Sequence, residues 1–313
     1  MVLAFTFPGQ GSQAVGMGKA LSESSATARL VFEEVDEALK QNLTKLMFEG
    51  PEDELKLTEN AQPALMAVSL AIVRTLEKDA GVKVEDKAGY VAGHSLGEYS
   101  ALAAAGSLTV EDAAKLLKRR GQAMQRAVPV GEGAMAALLG LDLAAAEEVA
   151  KEAAGDDVCT AANDNAPGQV VVSGTKAAVE RAVEIAKTKG ARRAMLLSVS
   201  APFHCPLMAP AAEEMAEALN TATIRPPVRP LVANVTAKEI SQPEEIRRLL
   251  VAQVTGLVRW RESVLYMVGG GVDTFVELGS GKVLTGLAKR INGDVNAVSI
   301  QGPDDIDAFL KLI

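Results

Sequence analysis

The chain opens on an apolar run, Val2 to Phe7, too short for a helix and closed by Pro8-Gly9-Gln10-Gly11-Ser12. That pattern predicts a buried strand running into a glycine-rich loop. Apolar positions then recur at helical spacing through Ala26 to Leu39 and from Pro63 to Lys78, and Gly89-Tyr90-Val91-Ala92 reads as a second short buried strand. Strands that alternate with helices predict an α/β protein with a mostly parallel sheet.

From Gly133 the order changes. Ala134 to Leu139, Val158 to Ala162, Gln169 to Ser173 and Arg193 to Val199 read as strands, with helices over Ala144 to Ala153 and Lys176 to Lys189. The sequence βαββαβ is the ferredoxin-like arrangement. Residues 129–199 are therefore expected to form a small ferredoxin-like domain inserted into a larger domain built from 1–128 and 200–313. With 313 residues, 48% of them hydrophobic, the chain can bury a core in each.

Composition removes several alternatives. The two cysteines, Cys159 and Cys205, are widely separated and share no CxxC spacing, so neither a disulfide framework nor a thiolate metal site is expected. No basic lead precedes the first apolar run, and no apolar stretch is long enough to span a membrane, so a cytoplasmic protein is expected. A net charge of -8 argues against broad nucleic-acid binding and leaves room for a local basic patch. The glycines at 9, 11, 16 and 18 fit neither dinucleotide nor P-loop spacing.

The chemistry centres on Gly93-His94-Ser95-Leu96-Gly97, a G-x-S-x-G between a strand and a helix expected from Glu98 to about Ala105. Small residues on either side allow the tight turn that lifts a serine hydroxyl to a helix N-terminus, with the Leu96 amide free to meet an oxyanion. A serine hydroxyl needs a base, and the chain has only two histidines. His94 adjoins Ser95 on a sharp elbow and should point away. His204 lies in a loop before Pro206, the first-turn position of a further helix; it is either the base or a satisfied core histidine.

Two polar residues fall on apolar helix faces. Arg120 sits amid Ala113, Leu116, Leu117, Met124 and Ala127 on a helix capped by Thr109, while Lys118 and Arg119 should face water. An inward guanidinium requires either an internal carboxylate or an anionic ligand. Gln253 sits between Ile246, Leu249, Leu250 and Leu257 on a helix starting near Pro243. Its amide could take the Nδ1 proton of a catalytic histidine or satisfy local backbone. Glu98, Asn163, Asn165, Trp260 and the glycines 269–271 have ordinary turn, cap or packing explanations.

Taken with Phe7-Pro8-Gly9-Gln10-Gly11-Ser12-Gln13, Gln62-Pro63-Ala64, Gly93 to Ala101, Arg120-Gly121, Met124-Gln125, Asn165 to Val171 and Gly279 to Leu287, the chain closely resembles the malonyl-CoA:acyl carrier protein transacylase family of type II fatty acid synthesis over nearly its whole length. The resemblance implies an α/β-hydrolase-like core with the ferredoxin-like insert. It implies Ser95 as acylated nucleophile, His204 as general base and acid, and Gln253 as its support. Arg120 would clamp the malonyl carboxylate, and the Gln10 and Leu96 amides would form the oxyanion hole. Gln10, His94 and Phe203 would line the substrate, with Phe203 associated with malonyl choice. The substrates would be malonyl-CoA and the phosphopantetheine thiol of acyl carrier protein, with no cofactor or metal, and the enzyme a monomer whose basic residues meet the acidic carrier. Competing readings are a serine thioesterase or carboxylesterase, an idle scaffold that binds acyl carrier protein, and an acyltransferase serving a polyketide pathway.

Overall fold

The computed structural model describes all 313 residues. In chain order its strands are β1 (Leu3–Phe7), β2 (Ala88–Gly93), β3 (Gly133–Leu139), β4 (Cys159–Ala166), β5 (Gln169–Thr175), β6 (Arg193–Leu196), β7 (Leu231–Val232), β8 (Glu239–Ile240), β9 (Thr274–Leu278) and β10 (Asn296–Ile300). They form two sheets. The larger has the order β10-β9-β1-β2-β7-β8, and all of its neighbours are parallel except β7 with β8. The smaller, β4-β5-β3-β6, is antiparallel throughout.

β1 is buried at every position, as a central parallel strand covered on both faces must be, which is why Leu3 to Phe7 lacks alternation; Val2, expected in the strand, lies outside it and is exposed. Its register with β2 sets Phe7 opposite Gly93, and β2 sets Val91 and Ala92 opposite Leu231 and Val232 of β7. The carboxyl ends of β1, β2 and β7 are thus level, and the loops that leave them meet at one edge of the sheet, where open parallel sheets gather ligands.

The helix Ala26–Leu39 has the bounds that its periodicity predicts, but the next one begins at Thr58, not Pro63, and runs to Lys78. Its first residues, Thr58 to Gln62, are largely polar, so apolar spacing starts only at Pro63. Thr58, Asn60 and Gln62 are nonetheless buried: Thr58 and Gln62 face the candidate site described below, and Asn60 meets Gln41, Lys118 and the Glu54 carbonyl, while Glu59 stays partly exposed. The helix Val110–Ala127 is capped as expected: the Thr109 hydroxyl accepts from the Asp112 amide at 3.0 Å. Lys118 and Arg119 do not simply face water. Both are half-buried, Lys118 on Glu59 and Arg119 on Glu214. The helix Pro243–Thr255 stops short of Leu257, which is only partly buried.

The small sheet is crossed on one face by the helices Leu143–Ala154 and Lys176–Thr188. Ala136, Leu138, Val170 and Val172 pack with Val149, Val179 and the helix alanines into an apolar cluster separate from the main core. The opposite face contributes Met135 and Val171 to the main cluster. β4 is stitched to the larger body through main chain, with the Asp164 amide donating to Val258 O and the Val258 amide to Ala162 O, both 2.9 Å. The buried Asp164 carboxylate also receives Arg261, with Nη2 at 2.8 Å. No helix is long and apolar enough to cross a membrane.

Candidate active site

Ser95 follows β2 and precedes the helix Gly97–Ala104. Its φ of 53° is in the left-handed region, a strained conformation for a residue with a Cβ. Both flanking glycines are required by space. A Cβ on Gly93 would stand 1.9 Å from the Gly97 carbonyl, and one on Gly97 would stand 2.2 Å from Phe7 O. The G-x-S-x-G spacing therefore encodes a backbone crossing, not only a turn.

Ser95 Oγ is 2.8 Å from His204 Nε2, and His204 Nδ1 is 2.8 Å from the main-chain carbonyl of Gln253. A carbonyl can only accept, so Nδ1 carries the proton and Nε2 is left as the acceptor for the serine hydroxyl. His204 also has positive φ, 58°. Burial first, and then the Arg120 charge, hold the imidazole down at about 3, so it is neutral at physiological pH. His94 points elsewhere, as its position on the elbow predicts: its Nε2 is 2.8 Å from Asn165 Oδ1 and its ring is tilted against Trp260.

The support that Gln253 gives His204 differs from the expected one. The main chain, not the side-chain amide, meets Nδ1. The amide instead accepts from Arg120 Nη2 at 2.8 Å through Oε1 and donates through Nε2 to Ser95 O at 2.9 Å and Glu98 Oε2 at 2.6 Å.

Arg120 is buried, as its helical position predicts, and no carboxylate lies within ion-pair distance. Its Nη1 donates to Gln62 Oε1 at 2.8 Å, its Nη2 to Ser95 Oγ at 3.2 Å, and its Nε has no partner. The guanidinium carbon stands 5.8 Å from the Tyr99 ring centroid. Gln62 in turn donates to Thr58 Oγ1, and Thr58 donates to Gln10 Oε1 at 2.6 Å. The loop after β1 is thereby joined to the cation. Neither the Gln10 nor the Leu96 amide donates to a main-chain carbonyl. Phe203 packs into the main core and makes no polar contact with this cluster.

Three participants were given no part in the chemistry by the sequence. Asn234, just beyond β7, accepts the Ser95 amide at 2.8 Å and donates to Gly93 O at 2.7 Å. Gln62 was visible only within Gln62-Pro63-Ala64, one of the motifs that carry the family resemblance. Glu98 is fully buried because every residue of its helix is buried. Burial pushes its carboxyl up to about 7, against the lowering effects of the Gln253 amide, the Asn234 amide and the Arg120 charge. Asn165 and Trp260, given packing roles above, both touch His94. The glycines 269–271 do end a helix, with Gly271 at φ 92°. No group of His, Cys, Asp and Glu side chains forms a metal-binding set.

Residues 4–296 match the acyl transferase domain family. The malonyl CoA-acyl carrier protein transacylase of Bacillus subtilis is 44% identical over 312 residues, covering 99% of this chain and 97% of the relative. The acyl-carrier-protein-S-malonyltransferase of Bartonella henselae superposes with a TM-score of 0.97 at 56% identity, over 100% of this chain and 99% of that one. A malonyl-transacylase solved in complex with its type II polyketide acyl-carrier protein gives a TM-score of 0.97 at 41% identity, with both chains fully covered. The chain belongs to the acyl transferase domain family, and it is an acyltransferase of the kind that these malonyl transacylases represent.

Proposed function

We propose that the protein moves malonyl from malonyl-CoA to the phosphopantetheine thiol of acyl carrier protein through a malonyl ester on Ser95. The observation that carries this reading is a neutral imidazole 2.8 Å from a strained serine hydroxyl, with a buried, carboxylate-free guanidinium 3.2 Å from the same oxygen. His204 Nε2 takes the Ser95 proton as Oγ attacks the thioester carbonyl. The oxyanion is met by the Gln10 and Leu96 amides, Leu96 at the N-terminus of the helix Gly97–Ala104. The thiolate leaves with the proton from His204, and the carrier thiol then runs the same steps in reverse, giving ping-pong kinetics.

Arg120 holds the malonyl carboxylate. A buried cation with neutral amide partners and an unpaired Nε fits an anionic substrate better than a structural ion pair. A neutral acyl group would leave that charge uncompensated, which is the basis of selection. Gln10, His94 and Phe203 line the acyl pocket. CoA and phosphopantetheine are substrates, so the chemistry needs no cofactor. The named relatives and the solved carrier complex support the choice of acyl and acceptor. The monomer works in the cytoplasm.

The same reading assigns 1–128 with 200–313 to an α/β-hydrolase-like catalytic domain and 129–199 to a ferredoxin-like domain. The β4-β5-β3-β6 order with two helices on one face, and the separate apolar cluster, support the second assignment. Intact-protein mass spectrometry after brief exposure to malonyl-CoA tests the mechanism. The expected result is a single malonyl adduct that maps to Ser95, is lost in Ser95→Ala, and is discharged faster by carrier thiol than by water. An adduct at another residue, or hydrolysis that outruns transfer, would overturn it.

A further inference from the structure

The structure assigns Glu98 as a positioning residue: it fixes the Gln253 amide in the one orientation that steadies both the nucleophile and the carboxylate-binding cation. This rests on the acyltransfer mechanism proposed above.

A glutamine amide has two faces of opposite sense, and here each meets only one kind of partner. Gln253 Oε1 faces Arg120 Nη2 at 2.8 Å, while Nε2 faces three acceptors, Glu98 Oε2 at 2.6 Å, Ser95 O at 2.9 Å and Asn234 Oδ1 at 3.3 Å. A flipped amide would set a carbonyl oxygen against those acceptors and an NH2 against a guanidinium. Glu98 is the shortest contact of the set, and its Oε2 also accepts the Asn234 amide at 3.3 Å. It touches neither Ser95 Oγ nor His204 through its side chain; its short link to the reacting atoms runs through Gln253 at 2.6 Å, with the 3.3 Å contact to Asn234 as a longer second route.

The arrangement also explains how a cation can be buried yet remain free for a ligand. No carboxylate pairs with Arg120 directly, and the Glu98 carboxyl is linked to it through the Gln253 amide. A carboxylate in direct contact would have to be displaced by each substrate; one held an amide away polarises the Oε1 acceptor without occupying a guanidinium edge. The Ser95 backbone is clamped at the same time. Its carbonyl is held by Gln253 and its amide by Asn234, the two ends of a residue whose φ of 53° would otherwise relax.

The test compares Glu98→Met, which keeps the volume and removes the acceptor, with Glu98→Gln, which keeps an acceptor, each alone and in a Gln253→Leu background. Steady-state transfer is read with malonyl-CoA and acetyl-CoA. Glu98→Met should lower malonyl kcat roughly 30-fold, in the range expected when reacting groups shift by a fraction of an ångström. It should also lower the malonyl-to-acetyl ratio, because only malonyl uses Arg120. Glu98→Gln should recover to within about threefold of wild type, and Glu98→Met should cost less than about threefold once Gln253 is already leucine. Should Glu98→Met fail to fold, Glu98→Asp withdraws the acceptor by one methylene and carries the same expectation. A Glu98→Met or Glu98→Asp enzyme as fast as wild type, a Glu98→Gln enzyme as slow as Glu98→Met, or full additivity with Gln253→Leu would each overturn the assignment. Wild-type enzyme that fails to acquire a malonyl group on Ser95 would instead overturn the mechanism on which it rests.

Discussion

The edge of the large sheet around Ser95 and the interior of the small sheet are built on opposite principles. Around Ser95 the buried residues are Arg120, His204, Gln253, Glu98, Gln62 and Asn234, and two side chains sit at positive φ. In the small sheet the interior is Leu138, Val149, Val170, Val172, Val179 and alanines, in regular strands and helices. The first region spends stability on charge burial and backbone strain so as to hold a few atoms in register. The second supplies stability from apolar burial and asks nothing of individual atoms. Substitutions in the two regions should therefore fail in different currencies, one in rate and one in unfolding free energy.

The largest separation should come from Arg120→Ala. Malonyl transfer is expected to fall by about 10² to 10³, the range for losing a desolvated charge-assisted contact, while acetyl transfer changes little. Parallel kcat/KM measurements with both thioesters check this. Equal losses would mean that the guanidinium serves only to hold Ser95 Oγ and Gln253 in place, and the contrast with an ordinary core would weaken.

Leu138→Ala, in the small sheet, should destabilise the protein by about 3 kcal/mol through transfer and cavity terms and leave kcat unchanged at temperatures where the variant is folded. Denaturant unfolding with activity assays on the same sample reads both quantities. A drop in kcat without unfolding would show that the small sheet tunes the cleft through its stitches at Asp164 and Val258.

The same division decides what the sequence made legible. The strands and helices up to Val199, including the βαββαβ run, follow from spacing and most fall within a few residues of expectation, whereas the short strands β7 to β10 had no reading. Ser95 was legible because G-x-S-x-G is local, His204 because histidine is scarce, and Arg120 and Gln253 because they interrupt apolar helix faces. Asn234 follows a two-residue strand with no periodicity to mark it, and Glu98 lies on a helix whose polar side is buried as deeply as its apolar one. The acceptor for His204 is a main-chain carbonyl, for which no side chain can be a signature. The start of the helix Thr58–Lys78 was missed for a related reason: its first turn is polar because Thr58 and Gln62 serve the cleft while Glu59 and Asn60 hold neighbouring side chains.

Acidity offers a finer probe. Because burial and the Arg120 charge hold His204 at about 3, Ser95 acylation in single-turnover experiments should stay flat as pH falls from 8 to 5 and decline only toward 3. An unperturbed imidazole would begin to lose rate near 6.5. Stability carries two opposed contributions. A His204 pKa lowered in the folded state stabilises fully above the unfolded value near 6.5, and that stability is lost as pH falls toward 3. A Glu98 pKa raised to about 7 stabilises below the unfolded value of 4.5, and that is lost as pH rises through 7. Glu98→Gln should therefore gain on wild type in melting temperature between pH 5 and pH 8. A difference that stays constant across that range would mean that Glu98 does not titrate there.

The smallest effect should come from the outer surface of the small sheet's helices. Lys187 and Glu184 pair at 2.6 Å one turn apart, but both side chains are more than half exposed, at 53% and 72%. Solvent screens such a pair and its long side chains lose rotamer freedom in forming it, so Lys187→Ala should cost at most about 0.5 kcal/mol, less in high salt. Transfer to the carrier protein should be unchanged. Rate is the sensitive readout here, because an acidic carrier that docks across the small sheet would miss one of its cations. A severalfold rise in KM for the carrier, with KM for malonyl-CoA unaltered, would show that this face contributes to recognition after all, and would extend the functional half of the molecule beyond the edge of the large sheet.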